Sequence, residues 1–388
     1  MVGSPYTPGA GVPPPLLVGR DDARVRGAEL FARTASFGSP GRSPLVLTGV
    51  RGLGKTVLLH AITQEAAGHG FLIAWVTVDR RGPLAGRIAS ALAGAMAPLK
   101  PNASVRWRRW AASLSRASVE LAVPGVKITR PAQPAGTAVG DRDATVALVA
   151  ESARLARQER PGLCLAFDEL QEGPDGDLAV VAAIAQELVA APLVVLGAGL
   201  PQTPEKLMRA GSYAERFTFH KLHPLSGQQA AAALLVPANT RGVSWDRDAG
   251  EYVLGAANGS PYLLQLYGDA AWRMAGPGPG GRIGLPAARA GVATAMGDLF
   301  DGMFRGRWNR ASPLEQHYMF AMAQHLAVDG SAGTGQVAAA LGRPVTSMSF
   351  LRTRLLDKGL IQPAGYGRVA FSMPGFEAFV LQQAAAGS

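Results

Sequence analysis

A chain of 388 residues is longer than one ordinary hydrophobic core can organise, so two or three domains are expected. Hydrophobic residues make up 48% and charged residues 17%, which excludes wholesale disorder; the single cysteine, Cys164, excludes a disulfide framework or a cysteine metal site and fits a reducing cytoplasm. A net charge of +10 favours a polyanionic partner, nucleic acid or an anionic surface.

The first 16 residues are rich in Pro and Gly, lack the apolar run of a signal peptide and predict a mobile tail. Leu17-Val-Gly-Arg-Asp-Asp22 follows, then a helix-compatible segment, Ala23 to Phe37. The apolar run Pro44-Leu-Val-Leu-Thr48 leads into Gly49-Val-Arg-Gly-Leu-Gly-Lys-Thr56, and Val57 to Thr63 continues as helix. Strand, glycine-rich loop, Lys-Thr and helix is the P-loop arrangement. Gly49, Gly52 and Gly54 let successive backbone N–H groups face phosphate oxygens, and the helix N-terminus adds to that field. Lys55 reaches the β- and γ-phosphates and Thr56 offers its hydroxyl to Mg²⁺; Leu53 and Val57 complete the cofactor-binding turn. ATP and Mg²⁺ are the cofactors expected.

Phe71 to Val78 reads as a buried strand, apolar on both faces as a covered parallel sheet requires, with helix at Leu84 to Ala97. Arg106, Trp107, Arg108, Arg109 and Trp110 then crowd together. The cluster either contacts nucleic acid or, as favoured, turns its tryptophans inward and its arginines to water. Val119 to Thr129 looks like a hairpin around Pro124-Gly125 and Pro131 to Gly140 like loop, so about 100–140 form a basic insertion. After a helix at Asp143 to Arg157, Leu163-Cys-Leu-Ala-Phe-Asp-Glu-Leu170 is an apolar strand ending in two carboxylates. Asp168 holds Mg²⁺ and Glu169 polarises the attacking water, because one acid balances the metal while the other faces the γ-phosphate.

Asp175 to Ala190 reads as helix and Pro192 to Gly199 as strand; the apolar stretch Leu178 to Leu200 is broken by Gln186, Glu187 and Pro192, so no membrane span is expected. His220 and His223 have no third ligand nearby, which argues against zinc. Ser226 to Ala275 is helix-rich and reads as a lid; Gly259-Ser-Pro261 punctuates a helix start, with Pro at its first turn, and a connecting helix runs from Pro286 to Met303. Ser312-Pro-Leu-Glu315 is a capping box opening a helix to about Leu326; Thr334 to Leu341 and Val345 to Lys358 are further helices, and Leu360 to Phe371 is strand, glycine turn, strand. That order is a winged helix. Its third helix offers Thr346, Ser347, Ser349, Arg352 and Arg354 to nucleic acid and keeps Val345, Met348, Leu351, Leu355 and Leu356 as an apolar face, and the wing offers Tyr366 and Arg368. Residues 303–388 hold eight Arg/Lys against four Asp/Glu, a balance of +4 that makes duplex DNA the leading partner, with docking of a protein client the alternative.

Order and motifs together resemble AAA+ and STAND-type P-loop ATPases with a C-terminal winged helix, as in bacterial AAA-family ATP-binding proteins and archaeal-type origin-recognition initiators. The motifs are Asp168-Glu-Leu-Gln171, Gly197-Ala-Gly-Leu-Pro201, Ala214-Glu-Arg-Phe217 and Pro261-Tyr-Leu-Leu-Gln265, and the match runs from about Leu17 to Phe379. The resemblance implies an α/β fold: a parallel sheet with helices on both faces, a helical lid and a winged helix. It divides the chain into a tail (1–16), an ATPase core (17–225), a lid with connecting helix (226–302) and a winged helix-turn-helix (303–388). It makes Val18 and Arg20 candidate contacts near the adenine and brings Pro261 toward base and ribose. Arg216 becomes the arginine finger, with Arg209 second, against a plain surface arginine paired with Glu215. The fourth strand ends in Gly197-Ala-Gly199 where the family usually carries a polar sensor; Gln202 and Thr203 are the nearest polar side chains. ATP binding and hydrolysis, a nucleotide-dependent homo-oligomer and linkage to DNA or a client are implied. A small-molecule P-loop kinase explains neither the lid nor the winged helix.

Overall fold

The structure, a computed structural model, describes residues 2–9, 11–80, 82–102, 105–109 and 139–386. The chain divides into two compact units. The first comprises Arg20–Thr48 and Lys55–Lys221; the second comprises Met1–Gly19, Gly49–Gly54 and Leu222–Ser388.

The first unit is built on a five-stranded sheet: β1 (Leu45–Thr48), β2 (Leu72–Thr77), β3 (Leu163–Asp168), β4 (Leu193–Gly199) and β5 (Thr218–Lys221), in the order β2-β3-β4-β1-β5. Every pairing is parallel, with Leu45 opposite Leu196 and Leu163 opposite Leu193. The three central strands, β3, β4 and β1, are buried along their whole length, as expected where helices cover both faces. The helices are α1 (Asp21–Phe37), α2 (Lys55–Gly68), α3 (Leu84–Met96), α4 (Val139–Ala156), α5 (Asp175–Glu187) and α6 (Thr203–Ala210). Elements lie within a few residues of where the apolar pattern puts them, because parallel strands and their covering helices declare themselves by unbroken hydrophobic runs.

Trp107 is 1% exposed and its indole N–H donates to Ser152 Oγ on α4 at 2.8 Å, so this tryptophan is an internal anchor. Arg106 and Arg108 are exposed. Trp110 and the hairpin expected at 119–129 lie outside the described residues.

The second unit holds α7 (Gly227–Asn239), β6 (Ser244–Trp245), α8 (Arg247–Ala257), α9 (Pro261–Ala275), β7 (Arg282–Ile283) and α10 (Leu285–Leu299). A π-turn, Phe300–Phe304, and a short helix, α11 (Arg305–Trp308), follow. The expected run of helices and strands comes next: α12 (Pro313–Gln324), β8 (Ser331–Gly333), α13 (Thr334–Ala340), α14 (Val345–Asp357), β9 (Ile361–Pro363) and β10 (Arg368–Phe371), closed by α15 (Phe376–Ala386). β8, β10 and β9 form an antiparallel sheet in that order.

Two expectations about domain organisation need correction. Residues 1–16 are not a mobile tail along their length: Tyr6 is 4% exposed, donates to Leu234 O at 2.6 Å and accepts from Trp245 Nε1 at 2.9 Å. Its ring stands edge-on to Trp245 and Trp272, and Trp272 Nε1 donates to Val2 O at 2.9 Å. Pro/Gly composition signals only the absence of regular structure, and a segment without helix or strand can still be pinned by one buried aromatic. Nor is the C-terminal region separate from the lid. One continuous core runs from Tyr6 through the lid helices to Val380. The weld is aromatic: Phe300, Phe304 and Trp308 meet Phe376 and Phe379 edge-on, with Phe304 and Phe379 centroids 5.9 Å apart.

The helix α12 also contains a fully buried carboxylate. Glu315 closes the capping box with Ser312, accepts from Lys358 Nζ at 2.5 Å and faces Arg354 Nε at 3.0 Å. Burial alone pushes its carboxyl pKa up; the Lys358 and Ser312 hydrogen bonds outweigh that and hold it below the ordinary value. A depressed folded-state pKa adds stability above the unfolded value of about 4.3 and loses it as pH falls further. Glu315→Gln should therefore destabilise this unit by about 3 kcal/mol at pH 7, near the lower end for breaking a buried pair because both cations keep access to water. Urea denaturation followed by circular dichroism should show the gap closing as pH drops below about 4.

Candidate functional site

The carboxyl ends of parallel strands are where an open α/β sheet builds a site. In the first unit β3 delivers Asp168 and Glu169 there, and α2 begins with Lys55 and Thr56. Thr56 Oγ1 donates to Asp168 Oδ2 at 2.9 Å, so two residues 112 apart in sequence share one hydrogen bond. Asp168 is 6% exposed; burial pushes its carboxyl pKa up, the Glu169 carboxylate adds to that, and the Thr56 hydroxyl and Lys55 pull it back. A buried hydroxyl–carboxylate pair whose anion is destabilised by desolvation fits a hard dication, which would restore the charged form. Lys55 is buried at 9% exposure and Val57 half-buried on the same helical turn.

Glu169 is held differently. Its backbone is left-handed, φ 56° and ψ 38°, a region costly for a side chain with a Cβ, and its N–H donates to Asp168 Oδ1 at 2.9 Å. A tight turn, Leu170–Glu172, follows at once, and Gln171 Nε2 donates to Glu169 Oε2. In the sequence Gln171 stands out only as the last residue of the Asp168-Glu-Leu-Gln171 motif, with no role attached to it.

The glycine ending of β4 has a packing cause. A Cβ on Gly197 would stand 2.6 Å from Leu170 Cδ1, and one on Gly199 would stand 2.3 Å from Thr203 Oγ1. A side chain at either position would require Leu170 or Thr203 to shift. Thr203 Oγ1 itself is buried and makes no hydrogen bond. Arg209 pairs with Asp175 at 3.4 Å, and the exposed Arg216 guanidinium lies over the Tyr213 ring at 5.5 Å.

In the second unit the glycine loop is met by the lid. Gly52 and Gly54 both have φ 81°, which only glycine adopts without strain. Leu53 between them is 3% exposed, and a Cβ on Gly49 would stand 3.2 Å from Leu222 O. Gly52 O accepts from Tyr262 N at 3.2 Å. The Gly259-Ser260-Pro261 step makes that contact: Ser260 caps α9, Pro261 takes its first position, and the helix start faces the loop. Val18 packs against the lid core, and Gly19 lies against the side chain of Gln229. Arg20, which opens α1 in the first unit, is 7% exposed, and burial lowers its guanidinium pKa.

On α14, Thr346, Ser347 and Ser349 are exposed, Arg352 is half-buried, and Arg354 lies over Phe350 while pairing with Glu315. Val345, expected on the buried face, is 51% exposed beside Phe350 at 66%. On the wing Tyr366 is fully exposed, whereas Arg368 turns inward to Ser331 Oγ at 2.8 Å and Asp329 at 3.4 Å. Among the described residues no helix is long and apolar enough to cross a membrane.

The AAA ATPase domain family matches residues 16–196, and a family described as a domain of unknown function (DUF8462) matches residues 301–380. No curated protein matches the chain significantly. Among solved structures, the Walker-type ATPase PABY2304 of Pyrococcus abyssi is similar at TM-score 0.61 and 14% identity, over 94% of this chain and 96% of that one. The Aeropyrum pernix ORC2 protein, solved as ADPNP–ADP complexes, is similar at TM-score 0.58 and 16% identity, over 98% of both chains. The Thr56–Asp168 pair and the glycine loop both lie within residues 16–196, the stretch that matches the AAA ATPase domain family.

Proposed function

We propose that this ATPase is a nucleotide-dependent switch whose output is the winged helix. Gly49, Gly52, Leu53, Gly54 and Val57 present backbone groups to the phosphates, and Lys55 neutralises the β- and γ-oxygens. Thr56 and Asp168 hold Mg²⁺, which when bound offsets charge building on the transferred phosphoryl group. Glu169 orients and deprotonates the attacking water. Val18, Arg20 and Pro261 are the candidates that the resemblance names for base and ribose, and Arg216 completes the charge balance on a neighbouring copy in a nucleotide-dependent oligomer. The observation that carries the switch is the Tyr262 N–H on Gly52 O: the lid helix bonds to the phosphate loop and shares one core with the winged helix. A change at the loop can therefore bias the output domain.

Duplex DNA is the partner favoured, on the +4 balance of residues 303–388 and the exposed Thr346, Ser347, Ser349 and Tyr366. Arg352 is half-buried, and Arg354 and Arg368 retain partial exposure beside their internal pairs. The second reading, a protein client, is favoured by one observation: those two arginines are already paired while Val345, Phe350 and Tyr366 are bare. Fluorescence anisotropy with labelled duplex, from low to moderate salt, with no nucleotide, ADP or a non-hydrolysable ATP analogue, separates the two. Affinity should fall steeply with salt, differ between nucleotide states, and lose about one unit of salt slope on Arg343→Ala, at the exposed arginine of the turn between α13 and α14. Affinity indifferent to salt and nucleotide removes the DNA reading and leaves the protein client.

A further inference from the structure

The Gly197-Ala198-Gly199 end of β4 carries no polar side chain, yet that strand end is joined to the hydrolytic carboxylate by another route. Gln171 is 1% exposed and lies between them. The backbone N–H of Leu200 can only donate, so the oxygen of the Gln171 amide must face it, and Oε1 accepts at 3.0 Å. That leaves Nε2 toward Glu169, and it donates to Glu169 Oε2; its other neighbour, Glu172 Oε1, is farther off at 3.5 Å. The backbone carbonyl of the same residue accepts from Lys206 Nζ, on α6, at 2.7 Å. A buried amide with both ends used, beside a carboxylate on a left-handed residue, has one arrangement available to it.

We infer that Gln171 is the positioning residue of the hydrolytic site: its amide sets the direction of the Glu169 carboxylate and ties it to the end of β4 and to α6. The inference rests on the reading of Glu169 as the base. A glutamate side chain without an anchor samples several rotamers, and a displacement of about 1 Å at a reacting group costs about 100-fold in rate. With no side chain on Gly197 and Gly199, movement of the β4 end would reach Glu169 through this amide.

Two variants separate positioning from simple bracing. Gln171→Glu keeps an acceptor for the Leu200 N–H but has no hydrogen to give Glu169. Gln171→Met keeps the length and removes both bonds without adding charge. Steady-state ATP hydrolysis, affinity for a non-hydrolysable ATP analogue, and hydrogen exchange at the Leu200 amide are measured on the full chain. Both variants should lose about 30- to 100-fold in kcat with nucleotide affinity within about threefold of wild type. The Leu200 amide should exchange faster in Gln171→Met alone. In a Glu169→Gln background, Gln171→Glu should cost nothing further in kcat, since the carboxylate it positions is gone. If wild type hydrolyses ATP and Gln171→Glu keeps its kcat, the residue only braces the strand and the inference is overturned. It is overturned equally if kcat and affinity fall together in both variants. A wild type that binds ATP without hydrolysing it removes the reading of Glu169 itself, and this role with it.

Discussion

Glu169→Gln should bind MgATP as wild type does and hydrolyse it about 100- to 10,000-fold more slowly, the range for removing a general base. That corresponds to about 3–5 kcal/mol of barrier. Binding survives because the substitution leaves the phosphate and metal groups alone: Thr56 Oγ1 still meets Asp168 Oδ2, and the Gly52 and Gly54 conformations belong to another segment. The fold survives because glutamine has the same shape, and its amide oxygen can accept from Gln171 Nε2 as the carboxylate does. What is lost is the charge that takes the proton. Isothermal titration with an ATP analogue and phosphate release under saturating ATP measure the two halves separately. Turnover within about threefold of wild type would move the base to another residue.

The second large effect concerns stability. Tyr6→Ala should destabilise the second unit by about 3–5 kcal/mol, the range for deleting a buried aromatic. The side chain is buried against Trp245 and Trp272 and its hydroxyl is used twice, once as donor to Leu234 O and once as acceptor from Trp245 Nε1. Truncation opens a cavity and strands both partners. Tyr6→Phe keeps the ring and should cost about 1–3 kcal/mol, the penalty of leaving a buried polar group unsatisfied. Burial pushes the phenol pKa far above its ordinary value, against the smaller lowering from Trp245, so the hydroxyl remains a donor through the working pH range. Urea unfolding followed by tryptophan fluorescence reads both variants. A midpoint unmoved by Tyr6→Ala would mean that the N-terminal segment packs without contributing.

The phosphate loop and the acidic strand end were legible from the residues because their chemistry is local. A backbone that must turn at φ 81° wants glycine at 52 and 54, a covered parallel strand wants an unbroken apolar run, and both patterns fall within a few consecutive residues. The capping box at Ser312 and Glu315 was visible for the same reason, three residues apart. Val345 was misplaced because one residue at a helix start can lie on either side of an apolar stripe until a neighbour covers it. The paired arginines were equally hidden. Arg354 and Arg368 carry the same charge in the sequence whether they face solvent or meet Glu315 and Asp329.

The sequence by itself determined a glycine loop between strand and helix, a strand ending in two carboxylates and the run of helices and strands from Pro313 to Phe371, since each is written in short-range spacing. Tertiary structure decided the rest. It put Tyr6 against Leu234 across 228 positions, joined the turn after α10 to α15 through Phe304, Phe376 and Phe379, and gave Gln171 its partners at Glu169 and Leu200. Those outcomes depend on which distant surfaces meet. A residue's own type states what it can bond or bury, whereas the partner that satisfies it is chosen only when the chain has packed.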